Sequence, residues 1–244
     1  MTLEILYQDE FLVVVNKPAG LLVHRTHLAK EEEDAVVQRL RDQTGKWVFP
    51  VHRLDRGTSG VLVMAFTPNT ARQLSQQFSA SEMDKIYHCL VRGFSESSGH
   101  INHPLAKLNE QKGRSRFKIE GTEKEAETSF TRLAHYEVPI PVSRYKTMRL
   151  SWLEVSPKQG RKHQIRRHFK HKFSPLVGDS CYGCRHINKV VKELWPDNFR
   201  LMLHASELTF THPETGERLL VKAPLSGKLK SMLDKLSVYR QLSD

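Results

Sequence analysis

The stretch His52-Arg53-Leu54-Asp55-Arg56-Gly57-Thr58-Ser59-Gly60 runs without a break into Val61-Leu62-Val63-Met64-Ala65. The second part is short, apolar and rich in β-branched residues, which predicts a strand buried on both faces. A chain holding such a strand must cover it on both sides. Whatever sits on the polar loop before it is therefore presented from a rigid base. Gly57 and Gly60 give that loop backbone freedom and allow another chain or a ligand to come close.

Asp55 lies between Arg53 and Arg56 in this loop. Taken alone, an aspartate among arginines reads as a surface ion pair, worth about 0–1 kcal/mol. A perturbed carboxylate on such a loop also fits a catalytic site, and the remaining chain must decide between them.

At 244 residues the chain is long enough to bury a sizeable core. Lys and Arg number 38 against 27 Asp and Glu, a formal charge of +11. That excess favours a polyanionic partner and points towards nucleic acid. No apolar run approaches the roughly 20 residues of a membrane helix, so no membrane partner is expected. Glu4, Asp9 and Glu10 interrupt any signal-peptide core. The three cysteines, Cys89, Cys181 and Cys184, are too few for a disulfide framework and suit a reducing cytoplasm.

In chain order, Leu3–Tyr7 and Phe11–Val15 read as a hairpin, and Leu21–His24 as extended. Asp34 is placed to cap a helix carrying Ala35, Val36, Val37 and Leu40 and ending before Gly45. Thr67-Pro68 forms an N-cap and first-turn pair for a helix with Ala71, Leu74 and Phe78 on one stripe. Lys85–Arg92 alternates as a strand, with Tyr87, Cys89 and Val91 on one face. Residues 100–121 are basic and weakly patterned, with Lys107, Lys112, Arg114, Arg116 and Lys118 able to follow a phosphate backbone.

Thr128–Glu137 and Arg149–Ser156 read as strands around a proline-punctuated insert ending at Tyr145. If residues 158–171 are helical, His163, Arg166, Arg167, Lys170 and His171 share one face. So many cations suit a phosphate-facing helix better than a core-facing one. Leu201–Phe210 reads as a strand and Leu225–Arg240 as a terminal helix. The strand-rich pattern alone gives an α+β class.

Cys181-Tyr-Gly-Cys184 has the spacing of half a zinc site, but Cys89 is the only other cysteine. His163, His168 and His171 sit among cations that would repel a metal ion, so no metal site is expected. Ser59 lacks the G-x-S-x-G elbow, and Gly57 and Gly60 are not a phosphate-binding loop, so no nucleotide cofactor is implied.

Three ordered segments together resemble the RluA-type pseudouridine synthases: His52-Arg-Leu-Asp55 with Thr58-Ser-Gly60; Lys85-Ile-Tyr87 with Gly93; and Gly160-Arg-Lys-His-Gln-Ile-Arg166 with Gly178-Asp179. Asn16-Lys-Pro-Ala-Gly20 resembles the family's opening motif, and Leu203-His-Ala205 with His212-Pro213 its closing one. The insert ending Arg144-Tyr145, the doubled Arg166-Arg167-His168 and Gly178-Asp-Ser180 look most like its TruC type, which modifies uridine 65 of tRNA. The resemblance implies one catalytic domain over residues 1–244, with no separate N-terminal RNA-binding domain because the opening motif starts so near Met1. It implies a mixed, largely antiparallel sheet with flanking helices and a basic central cleft. It also implies a monomer that needs no cofactor and acts on RNA, tRNA in particular.

By the same resemblance, Asp55 is the catalytic carboxylate, Tyr87 stacks on the uracil and Arg166 pairs with Asp55. Arg53 would fill the gap left by a flipped-out nucleotide, offsetting part of the few kcal/mol that unstacking costs. A planar guanidinium can both stack on bases and reach phosphate. Tyr87, a rigid aromatic on a strand, is also the candidate base for the proton at C5. His52, Arg56, Arg161, Lys162, His163 and Arg167 complete the expected RNA contacts. An arginine is a natural two-pronged partner for the Asp55 carboxylate. Attack on the ribose and attack on the uracil both fit that placement.

Overall fold

The computed structural model describes residues 2–24, 34–110, 117–225 and 227–241. The chain forms two compact units: Met1–Ile86 with His204–Pro224, and Tyr87–Leu203 with Leu225–Asp244.

In the first unit Leu12–Lys17 and Ser59–Ala65 are buried along their whole length and pair antiparallel. The polar-to-apolar transition at Ser59 thus starts a central strand, as the sequence predicts. Glu4–Gln8 pairs on the far side of Leu12–Lys17. Asp9 closes that hairpin by accepting the Phe11 and Leu12 amides at 2.7 and 2.8 Å, an Asx turn. On the other side of Ser59–Ala65 runs the start of Leu203–Thr211, parallel, with His204 opposite Ser59 and Ala205 opposite Gly60. Gly60 has φ +114°, and a Cβ there would lie 2.0 Å from the Ala205 carbonyl oxygen, so no other residue fits this pairing.

The helix Pro68–Ala80 is capped as expected, Thr67 Oγ1 accepting the Thr70 amide at 3.1 Å. It buries Leu74 against Leu12, Val61, Val63 and Phe210. The helix Val36–Thr44 ends at Gly45, but its N-cap is Ala35. Asp34, read as the cap, instead pairs with Arg39. Leu21–His24, read as extended, holds a single bridge from Leu22 to Ala35.

In the second unit the order is Tyr87–Arg92 (of the strand Asp84–Arg92), Met148–Pro157, Glu127–Val138, all antiparallel. Ser98–Asn102 and Arg240–Gln241 share the outer edge of Glu127–Val138. Leu105–Glu110 and Phe117–Lys124 form a separate hairpin. Lys112, Arg114 and Arg116 of the basic cluster lie outside the described residues.

Side-chain alternation divides this sheet between two cores. Cys89, Val91, Leu153 and Val155 pack with Ile165 and Phe169 of the helix Gln164–His171. Leu90, Leu150 and Trp152 pack with Ile187 and Val191 of the helix Arg185–Leu194 and Met232 of the helix Gly227–Leu236. Phe130 belongs to the first core, yet Ala134 and Tyr136 belong to the second. A β-bulge explains the switch: Trp152 pairs with Ala134 and Leu153 with Arg132, leaving Leu133 unpaired.

Candidate active site

Asp55 sits half-buried on the loop that feeds Ser59–Ala65, between buried Leu54 and exposed Arg56. Its main-chain oxygen accepts the Thr58 amide at 3.0 Å, closing a turn. The neighbouring Arg56 carbonyl accepts the Gly20 amide at 2.8 Å and Lys17 Nζ at 3.2 Å. Arg56 Nε donates back to the Gly20 carbonyl at 2.9 Å. Lys17 is wholly buried and also donates to the Pro18 and Leu21 carbonyls, each at 2.8 Å. A buried ammonium is tolerated where carbonyls replace its water. Lys17 thereby ties the Asn16–Gly20 segment to the Asp55 loop.

His52, expected among the RNA contacts, stacks on Phe78 with centroids 4.2 Å apart and accepts the Val63 amide through Nε2 at 3.1 Å. Burial, and then the Lys85 ammonium, push this imidazole down to about 3. It therefore works as a neutral acceptor bracing the loop against its strand. Arg53 and Arg56 are exposed, as RNA contacts require. Ser59 donates to His204 Nδ1 at 2.8 Å, while His204 Nε2 donates to the Ala223 carbonyl at 3.1 Å. Both side chains are buried, which makes this pair a structural lock.

In the second unit the cationic segment is not the single helix that the sequence suggests. The helix begins only at Gln164, after His163 turns the chain with φ 57°. Gln164 holds this corner, its Nε2 donating to the Glu127 carbonyl at 2.8 Å and its Oε1 accepting the Arg161 amide at 3.0 Å. Lys170 and His171 are exposed, but Arg166 turns inward. Arg166 Nε and Nη2 donate to the two Asp179 oxygens at 2.7 and 2.9 Å, with both side chains buried. Such a two-pronged pair fixes the guanidinium plane. The resemblance implies Asp55 as the partner of Arg166; Asp179 takes these two nitrogens.

Asp179 Oδ1 also accepts the Cys181 and Tyr182 amides at 2.8 and 3.0 Å. Burial alone would raise the Asp179 carboxyl; Arg166 and the two amides outweigh it and hold it below the ordinary value. The Tyr182 ring lies 5.1 Å from the Arg166 guanidinium carbon, and its hydroxyl is 3.0 Å from His163 Nδ1. Burial pushes that phenol up to about 12. Gly178, at φ +75°, makes the turn into Asp179, and a Cβ there would strike the Arg200 carbonyl oxygen at 1.7 Å. Arg167 is half-buried and donates to the Ala106 carbonyl at 3.0 Å. Lys162 is half-exposed beside the exposed Arg161, and Tyr87 is half-buried opposite Val155.

Asp179 and Tyr182 were legible only in part. Gly178-Asp179 stands in a motif, but Tyr182 lies inside the Cys181–Cys184 pattern, which points to thiol chemistry and not to a ring. All three cysteines are free thiols, and among the described residues no His, Cys, Asp or Glu group could hold a metal ion. No helix among them is long and apolar enough to cross a membrane.

His168, another of the suspected ligands, is fully buried. Its Nε2 donates to the His103 carbonyl at 3.0 Å and its Nδ1 accepts the Thr128 hydroxyl at 2.8 Å. Burial pushes the ring down to about 4. An unfolded histidine takes its proton near 6.5, so stability is full above that pH and falls as pH drops towards 4. The expected loss from this ring is about 1.4 kcal/mol per pH unit across that window. Urea denaturation at pH 7.5 and 5 should show it, and His168→Gln should flatten the slope; identical slopes in the two proteins would refute it.

The chain belongs to the RNA pseudouridylate synthase family, whose sequence profile matches residues 11–171. Within it, the chain is 47% identical to tRNA pseudouridine synthase C of Vibrio parahaemolyticus, across 98% of this chain and 97% of that protein. It is 45% identical to the protein of that name from Vibrio cholerae, across 98% of each. Among solved structures, human RNA Pseudouridylate Synthase Domain Containing 1 has a TM-score of 0.70 at 27% identity, covering 97% of this chain and 95% of that one.

Proposed function

We propose that this chain is a tRNA pseudouridine synthase that isomerises uridine 65, acting in the cytoplasm as a monomer without a cofactor. The observation that carries this reading is the likeness to tRNA pseudouridine synthase C across nearly the whole chain, 47% over 241 residues. The built loop around Asp55, held by Lys17 and Gly20, supports it from the structural side.

In this proposal the two units function as one catalytic domain. Arg53, Arg56, Arg161, Lys162, His163 and Arg167 hold the RNA, and Arg53 enters the stack as the target uridine leaves it. His52 contributes through the loop it braces. Tyr87 stacks on the uracil, worth about 1–3 kcal/mol. Asp55 acts at the glycosidic bond, C1′ leaves N1 and rejoins the base at C5, and Tyr87 accepts the C5 proton while N1 ends protonated. Arg166, fixed in plane by Asp179, is the arginine partner of Asp55 in this reading.

Mapping pseudouridine in RNA from cells lacking this protein tests the substrate. Loss confined to tRNA position 65 is expected, and loss in ribosomal RNA alone would overturn the assignment. Tyr87→Phe should bind RNA normally and stall at C5 deprotonation. Rapid release of the C5 hydrogen by that variant would remove Tyr87 from the base role.

A further inference from the structure

Phe173 stands where a helix normally ends in glycine. After Gln164–His171, the Phe173 amide donates to the Lys170 carbonyl at 3.1 Å and the Ser174 amide to the Phe169 carbonyl at 2.9 Å. These are the two bonds of a Schellman cap, whose left-handed position glycine takes without strain. Here that position, at φ 58°, carries a phenylalanine. Bulky side chains rarely adopt this conformation. Packing offers no compensation, because Phe173 is 87% exposed. A strained, bulky, exposed aromatic is an outlier from which a functional role can be argued.

Phe173 lines a cleft of about 920 Å³ together with Arg92, Phe94, Arg144, Tyr145 and Arg149. That size suits a nucleotide-sized ligand. The walls alternate arginine with aromatic rings. The Arg149 guanidinium carbon lies 5.0 Å from the Phe94 ring centroid, and Arg144 Nη2 is 3.2 Å from the Tyr145 hydroxyl. Glu137, the acidic residue on the wall, is already engaged by Thr147 and Arg149 at 2.7 and 2.9 Å. Arg92 and Arg144 leave the cleft positive.

This is not the Tyr87 site. Arg92 and Tyr87 share the strand Asp84–Arg92 but point to opposite faces, roughly 16 Å apart along the strand.

We infer that this cleft is a second RNA-binding site, taking an unpaired nucleotide of the substrate away from the target uridine. The base stacks on Phe173, and Arg144 and Arg92 hold the phosphate. Arginine–aromatic alternation is the chemistry of sequence-tolerant single-strand binding. The inference rests on the reading of RNA as substrate and adds a contact to it.

Phe173→Gly tests it cleanly, because glycine relieves the cap while removing the ring. Its melting temperature should equal or exceed that of the parent protein. Its affinity for a short, unstructured, fluorescein-labelled oligoribonucleotide, read by anisotropy, should fall roughly fivefold or more. With tRNA the KM for pseudouridine formation should rise and kcat stay within about twofold. Arg144→Ala should weaken binding and lower the salt slope by about one. Unchanged oligonucleotide affinity in Phe173→Gly, or a fall in kcat at saturating tRNA, would overturn the site. If the parent protein forms no pseudouridine in tRNA while Phe173→Gly still weakens oligonucleotide binding, the substrate reading fails and the cleft stands.

Discussion

Asp55→Asn is expected to lower pseudouridine formation by on the order of 10⁴-fold or more, while RNA affinity stays within about twofold. The substitution keeps size and shape and removes only the charge that acts at the glycosidic bond. It should also leave the loop in place. The turn closes through the Asp55 main-chain oxygen and the Thr58 amide, 3.0 Å apart. The loop is also anchored through its main chain, Lys17 Nζ and the Gly20 amide both donating to the Arg56 carbonyl. Loss of turnover therefore reports chemistry rather than unfolding. Single-turnover release of the C5 hydrogen, with binding measured in parallel, separates the two. Turnover within tenfold of the parent protein would remove Asp55 from the chemical step.

The Asp55 loop was readable because its signals are local. Glycines, charges and an apolar run sit within fifteen residues, and the strand Ser59–Ala65 follows where the apolar residues begin. Thr67 and Gly45 were readable for the same reason, since a cap depends on its immediate neighbours. Asp34 was misassigned because the same carboxylate can pair with Arg39 one turn on. The bulge at Leu133 was invisible, since Thr128–Glu137 alternates plausibly as an unbroken strand. The helix Arg185–Leu194 was missed although Ile187, Val190, Val191 and Leu194 have helical spacing. The C-x-x-C pattern just before it, Cys181 to Cys184, is the stronger local signal and masks that spacing. The cation-rich segment misled in another way: charge density argued for an exposed face, whereas Arg166 is buried because Asp179 meets it. An ion pair formed across thirteen residues and a turn leaves no periodic trace.

Asp179→Asn is the second large effect, expected to cost about 3–5 kcal/mol of stability in urea denaturation. Arg166 would keep its charge in a site where its side chain is only 7% exposed, and an amide NH₂ would face one of its N–H groups. The Asn oxygen can still accept the Cys181 and Tyr182 amides, so the cost isolates the lost charge partner. Arg166→Met in the same background removes the stranded cation. The double variant should therefore be more stable than the sum of the two single losses predicts, by about 1–3 kcal/mol. Strict additivity would mean that the pair is not coupled. The same double variant also divides two roles for Arg166. If Arg166 only builds the turn, restored stability should bring restored turnover. If it partners Asp55 during the reaction, the refolded protein should still bind RNA and remain at least about a hundredfold slower than the parent protein, since charge stabilisation at a reacting centre is worth about 3–4 kcal/mol. The proposed site requires the second outcome, and near-parental turnover in a stable double variant would take Arg166 out of the mechanism.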